Sequence, residues 1–199
     1  MGLRLFDLNY NDIISQIRFG GEKMSIENET VIKPFIETCD TPEQYCDLKE
    51  EIIMELFYFL KEIVDLEREM SLRLRNYDKL AGEGSLTREQ MHQMCSEIFA
   101  EHENRRQEIT EKKCTKEFLE KYREHAVSSP SKYNYVVSGC DKCIFTMNKP
   151  KQAIVVVEFR KDTFFVKHRF RLKKEKNELR ICAFNSWSIY DYKWHREGI

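Results

Sequence analysis

The sequence has few of the residues that mark unfolded, exported or membrane-spanning chains. It contains only seven glycines and four prolines in 199 residues, too few for a low-complexity or collagen-like polymer. No apolar run approaches the ~18 residues that a spanning helix needs, and the first residues lack the basic start, apolar stretch and small-residue cleavage site of an export signal. Phosphate loops, GxSxG elbows, HExxH pairs, helix-turn-helix wording and RNP wording are all missing. The seven cysteines are odd in number and scattered at 39, 46, 95, 114, 140, 143 and 182, which is poor material for a disulfide framework. These features point to a chain in a reducing cytoplasm, with no membrane segment.

What is present suits a folded domain. The sequence is 41% hydrophobic and 34% charged, enough to bury one substantial core. The formal net charge of −1 conceals an asymmetry. Residues 1 to 111 carry 13 Lys and Arg against 24 Asp and Glu, net −11; residues 112 to 199 carry 20 against 10, net +10. Either the two halves attract each other within the fold, or one face recruits a charged partner.

The first 23 residues allow two readings. "FGGEKM", residues 19 to 24, back-translates into purine-rich triplets ahead of ATG, like a bacterial ribosome-binding site before a start at Met24. Alternatively Ile13, Ile14, Ile17 and Phe19 belong to an ordinary N-terminal element. Residues 1–40 are set apart as an extension and 41–199 as the domain.

From residue 41 the period is helical. "TPEQ" offers Thr41 as an N-cap, Pro42 at the first helical position and Gln44 to complete a capping box. Leu48, Ile52, Leu56, Phe59 or Leu60, Ile63, Leu66, Met70 and Leu74 then recur every three to four residues, giving one long amphipathic helix or two joined by a kink. "LAGEGS" at 80 to 85 ends it. Thr87 to Gln90 is a second capping box, opening a helix with Met91, Met94, Cys95, Ile98 and Phe99 on its buried side. A short third helix starts near Thr115, carries Phe118, Leu119 and Tyr122, and is closed by Pro130.

Beyond Pro130 the period becomes two. "KYNYVV", "KCIFTM", "AIVVVEF", "FFVKHRFRL" and "ELRICAF" read as strands joined by the short turns "SGCD", "NKP", "RKD" and "KKEKN", hence an antiparallel meander. One face of "FFVKHRFRL" holds Phe164, Val166, His168, Phe170 and Leu172; the other holds Phe165, Lys167, Arg169 and Arg171. The fold class is α+β, N-terminal helices packed on an antiparallel C-terminal sheet.

Candidate chemistry is sparse. His168 on an apolar face is a general acid/base candidate, with Glu158 on the preceding strand as its helper. A catalytic site needs a second positioned group, and a core histidine is the plainer account. Cys140-Asp-Lys-Cys143 is half of a zinc pattern. Only isolated Cys182, His168 and His195 could complete it, and a lone CxxC outside a strand-to-helix junction reads as two free thiols. Tyr133, Tyr135, Phe165 and Trp187 near basic residues would suit nucleic acid, but the overall isoelectric point of 6.5 lies below that of typical binding domains. No metal, cofactor or nucleic-acid partner is expected.

"KKCTKEF" (112 to 118), "SPSKY" (129 to 133), "HRFRL" (168 to 172) and "NELRICAF" (177 to 184) ahead of a final tryptophan resemble bacterial immunity proteins with a nuclear transport factor 2-like fold. The resemblance spans roughly residues 45 to 199. Where that family usually shows Trp-Arg-Ile, this chain has Leu179-Arg180-Ile181. It implies a strongly curved sheet forming a cone, and a monomer or homodimer that binds and neutralises a cognate polymorphic toxin in the producing cell's cytoplasm. Immunity by binding needs no enzyme. Because many such toxins have basic clefts, Glu62, Asp65, Glu67 and Glu69 on the long helix are the toxin-binding candidates, unless they are simply its solvated side. The same fold class includes ketosteroid-isomerase-like proteins, which keeps an alternative open: a small-molecule-binding protein or enzyme using the sheet cavity at His168.

Overall fold

The computed structural model describes residues 29–84, 86–122, 130–161 and 164–199. The two readings of residues 1–23 lie outside these residues. The described chain is a mixed α+β structure with a six-stranded open sheet in the order β1-β2-β3-β4-β5-β6. The strands are β1 (Ile36–Thr38), β2 (Lys142–Lys149), β3 (Gln152–Lys161), β4 (Phe164–Glu175), β5 (Glu178–Ser188) and β6 (Lys193–Glu197). From β2 to β6 every neighbour is antiparallel, as the short turns require. The β4–β5 turn places Lys176 and Asn177 at φ 49° and 71°, the geometry of a two-residue type I′ hairpin.

Two strands were not legible as such. β1 runs parallel to β2, with Ile36 opposite Cys143, so the segment set apart as an extension contributes an edge strand. β6 pairs with β5 through Trp187 and Trp194. One expected strand is instead helical. "KYNYVV" forms a turn followed by α5 (Tyr135–Ser138): Ser131 Oγ accepts from the Tyr133 N–H, and Gly139 at φ 94° ends the turn of helix. Tyr133, Tyr135 and Val136 are all buried there. Their apolar character serves as a plug in the core rather than as one face of a strand.

The helices follow the heptad-like pattern with one local exception. Thr41 does not cap. Its Oγ1 accepts the Met147 N–H of β2 at 3.0 Å and donates to the Cys39 carbonyl. The one-turn helix α1 (Glu43–Cys46) therefore begins without a side-chain cap. The hydroxyl satisfies a strand amide in preference to a helix amide, and Pro42, expected at the first helical position, stands instead at the N-cap with ψ 145°. The long helix is continuous, α2 (Lys49–Gly82). The second capping box is present in full: Thr87 accepts from the Gln90 amide and Gln90 returns the bond to Thr87 N–H. It opens α3 (Arg88–Lys113). Met94, Ile98, His102, Arg106 and Thr110 are the buried row of α3, one every four residues, whereas Phe99, expected inside, is 47% exposed. α4 (Lys116–Tyr122) follows, tied to the sheet where the Thr115 N–H donates to the Ile181 carbonyl.

The core lies between α2 and one sheet face. Ile53, Phe57, Leu60 and Ile63 of α2 meet Cys143, Phe145, Val155, Val157, Phe170 and Phe184, all inaccessible to solvent. Alternation along the strands sends these residues to the helical side; on the opposite face the Arg196 guanidinium lies 4.3 Å over the ring of Tyr122 from α4. Among the described residues no helix is long and apolar enough to cross a membrane.

Candidate functional site

His168 sits near the centre of the core, 4% exposed. Period-two alternation on β4 puts it on the helical side with Phe170, and α5 brings Tyr133 and Tyr135 over it. The imidazole meets Phe159, Phe184, Tyr135, Tyr133 and Phe170 edge to face, at centroid distances of 4.9, 5.0, 5.5, 5.9 and 6.4 Å. Its Nδ1 lies 3.3 Å from the Tyr135 hydroxyl. Burial holds the Tyr135 pKa well above its ordinary value, so that group is a neutral phenol.

Glu158 does not join His168. The register sets Val157 opposite His168 and Glu158 opposite Lys167, so the carboxylate projects from the other face of the sheet. There it lies 2.6 Å from Lys167 Nζ and 3.9 Å from Lys142 Nζ. The pair considered as an acid/base dyad is divided by the sheet itself. A hollow between α2, α3 and the sheet is bounded by Leu56, Leu172 and Ile181. The Glu55–Lys113 ion pair is the charged part of its lining.

The acidic candidates on α2 separate into three environments. Glu67 is 2% exposed and its Oε1 accepts from Arg106 Nη1 at 2.9 Å. Glu69 receives Arg105 Nη1 at 2.8 Å on both oxygens. Arg73 and Glu101, and Lys113 and Glu55, extend the same seam. As positions rise along α2 they fall along α3, the signature of an antiparallel helix pair. Glu67 is therefore a structural group, closed to any partner. Asp65 pairs with Lys61 one turn earlier, and Glu62 is exposed. Attraction between charges within the helical layer accounts for much of the acidic stripe.

His102 lies in the same seam, 5% exposed. Burial, and then the Arg106 charge, lower its pKa. Glu67 Oε2 and His102 Nε2 are buried and find no hydrogen-bond partner among the described residues.

The sheet face opposite α2 is different in kind. The Arg169 guanidinium lies 4.3 Å above the Trp194 ring, and Trp194 meets Trp187 edge to face at 5.7 Å. Tyr192, 75% exposed, flanks Trp187 at 6.4 Å. Lys167 covers the ring of Phe165 at 5.1 Å. Half-buried Ile144 and Val156 continue the row through β2 and β3. Arg169 Nε is buried with no hydrogen-bond partner among the described residues. Desolvation, and secondarily Arg171, lower its pKa, yet a guanidinium remains charged at any ordinary pH.

Phe165 and Trp187 stand out in the sequence as stacking candidates, and Lys167, Arg169 and Arg171 as one strand face, but Trp194 escaped the sequence reading because β6 did. Without β6, Trp194 has no place on the sheet; the alternation of Trp194 and Arg196 about His195 was its one available signal. Tyr133 and Tyr135, considered as stacking platforms, are buried instead.

The CxxC ligands also separate from their possible helpers. Cys182 Sγ donates to the Arg171 carbonyl, His195 Nε2 pairs with Asp191 at 2.9 Å, and His168 is in the aromatic core. Among the described residues no group of three or more His, Cys, Asp or Glu side chains is arranged to hold a metal. Comparison with known proteins adds no assignment: no family model matches the chain, and neither a curated protein nor a solved structure matches it.

Proposed function

We propose that the chain is an immunity protein that binds and neutralises a cognate toxin in the bacterial cell that produces it, and that it docks through the sheet face opposite α2. The observation that carries this reading is the Arg169–Trp194 stack on the sheet face opposite the α2 core. Trp, Tyr and Arg dominate the energetics of protein interfaces because they combine large apolar area with a directional polar group. Arg169, Trp187, Trp194 and Tyr192 supply that combination on one patch.

Arg169, Arg171 and Lys167 make the patch cationic, so the matching partner surface is acidic or rich in carbonyl acceptors. A second copy fits less well. A two-fold pairing through this face would bring Arg169 and Arg171 toward their own symmetry mates, with desolvation opposing like charges. The arrangement of helices over one face of a meander suits the nuclear transport factor 2-like cone suggested by the local wording. The filling of its interior by Tyr133, Tyr135 and His168 favours binding by a surface over chemistry in a cavity.

The test is co-expression with the toxin domain encoded beside this chain, scoring growth and co-purification together. Rescue with a complex that Arg169→Glu abolishes supports the reading. Growth arrest with a soluble chain and no complex overturns it.

A further inference from the structure

Sequence spacing alone gave Cys140 and Cys143 no role, but the fold gives them a geometry. Cys140 follows Gly139, whose φ of 94° turns the chain out of α5, and Cys143 is the second residue of β2. The turn brings the two Sγ atoms to 4.0 Å. Cys140 is half-buried and reachable from solvent, whereas Cys143 is fully buried. The backbone around Cys143 is fixed: its N–H donates to the Phe35 carbonyl at 2.8 Å, and Asp141 N–H donates to the Glu158 carbonyl at 2.8 Å. One reachable thiol stands over one buried thiol, on backbone held at both ends.

The remaining cysteines lack this arrangement. Cys39 is exposed with the Asp40 carboxylate 3.5 Å away, Cys46 donates to the Thr41 and Pro42 carbonyls, and Cys114 is buried. Closure would bring the two Sγ atoms from 4.0 Å to the ~2.05 Å of a disulfide.

From this geometry we infer that Cys140 and Cys143 are a thiol-modification site, closing to a reversible disulfide in exchange with a low-molecular-weight disulfide such as glutathione disulfide. The Cys140 thiolate attacks one glutathione sulfur. A Cys140–glutathione bond forms, the original disulfide breaks, and one glutathione thiolate leaves. Cys143 then attacks Cys140 Sγ and passes its proton to the departing sulfur, so that the second glutathione leaves as a thiol. Two protein thiols are oxidised and one glutathione disulfide is reduced to two thiols. The hydrogen bond from Cys143 lowers the Cys140 pKa against the opposing effect of burial, which raises the thiolate fraction of the attacking group. The neighbouring Asp40 carboxylate, through its hydrogen bond and its charge, raises the Cys39 pKa, so the most exposed thiol is the less reactive one.

The test uses the intact folded chain treated with glutathione disulfide, quenched in acid, alkylated and mapped by mass spectrometry. The expected result is loss of two hydrogens with a 140–143 cross-linked peptide, reversed by reduced glutathione. Cys140 should react faster than Cys39. In Cys143→Ser a single glutathionyl group should accumulate on Cys140, and in Cys140→Ser the 140–143 link should be lost while Cys143 stays reduced. Cys140 and Cys143 remaining free while Cys39 or Cys95 takes the label, or no oxidation at all, overturns the assignment. The wild-type mapping decides even if a variant fails to fold.

Discussion

Arg106 Nη1 donates to Glu67 Oε1 at 2.9 Å, with the two side chains 3% and 2% exposed. The pair joins the two long helices where a shared apolar face has thinned to single residues. In a desolvated seam, each charge is tolerable only because the other is there.

Removing one partner should therefore be worse than removing both. Glu67→Met is expected to destabilise by about 3–5 kcal/mol, whereas Glu67→Met with Arg106→Met should recover most of that loss. Urea midpoints of the two variants measure it, and equal losses would refute the pairing argument.

Stability should narrow from both ends of the pH scale. Burial pushes the Cys114 thiol up from its usual 9.0 to about 12. Above pH 9 the unfolded chain releases this proton while the native one keeps it, so stability falls by about 1.4 kcal/mol per pH unit until about pH 12. Cys143 and Tyr135, both raised, add to the alkaline loss. His102 has the opposite charge type and a lowered pKa. The unfolded histidine takes up a proton below about 6.5 while the native one resists, so stability falls as the pH falls. His102→Leu should flatten the acid limb and Cys114→Ala part of the alkaline limb of a melting-temperature profile.

Binding should follow the sheet face rather than the acidic helix. Arg169→Glu or Trp194→Ala is expected to weaken toxin binding by at least about 2 kcal/mol, roughly 30-fold, as for central interface anchors. Glu62→Lys should change it by less than about threefold, the scale of an isolated surface charge. Calorimetric titration separates the two, and the reverse ranking would move the interface to α2.

His168 should behave as a packing residue. His168→Phe keeps a ring among its aromatic neighbours but removes the partner of the buried Tyr135 hydroxyl, and is expected to cost about 1–3 kcal/mol with binding intact, whereas His168→Ala also opens a cavity, for about 2–5 kcal/mol. Thermal melts and the growth assay test both.

Thr41→Val removes the acceptor of the Met147 N–H. A strand amide left unsatisfied costs about 1–3 kcal/mol, more than an uncapped single turn of helix. Hydrogen exchange at Met147 should accelerate in this variant while the amides of α1 are unchanged.

The long-range period of the chain was readable, its short segments less so. Eight apolar positions from Leu48 to Leu74 determine α2 because only one helical face can accommodate them, and the Thr87–Gln90 box has a single low-energy use. "KYNYVV" was ambiguous since its four aromatic and β-branched residues suit a buried turn as well as a strand. Thr41 was misread because its tertiary partner, Met147, is over one hundred positions away. At His168, the alternation identified the correct face. The separation of Glu158 from it follows from the same alternation combined with strand register, which pairwise spacing along the sequence does not reveal. The Trp194 surface depended on β6, whose five residues mix Lys, His, Arg and Glu around one tryptophan and carry little strand propensity of their own.

The parallel pairing of Ile36 with Cys143 has a kinetic meaning. The β2 to β5 hairpins close over a few residues each, whereas β1 closes a loop of more than one hundred, so its pairing is the slower event. Until then β2 is an open template, able to accept the same three residues from a neighbouring chain. The order of assembly, more than the finished structure, thus sets how often two copies exchange their N-terminal strands, and dilution during refolding is the condition that suppresses it.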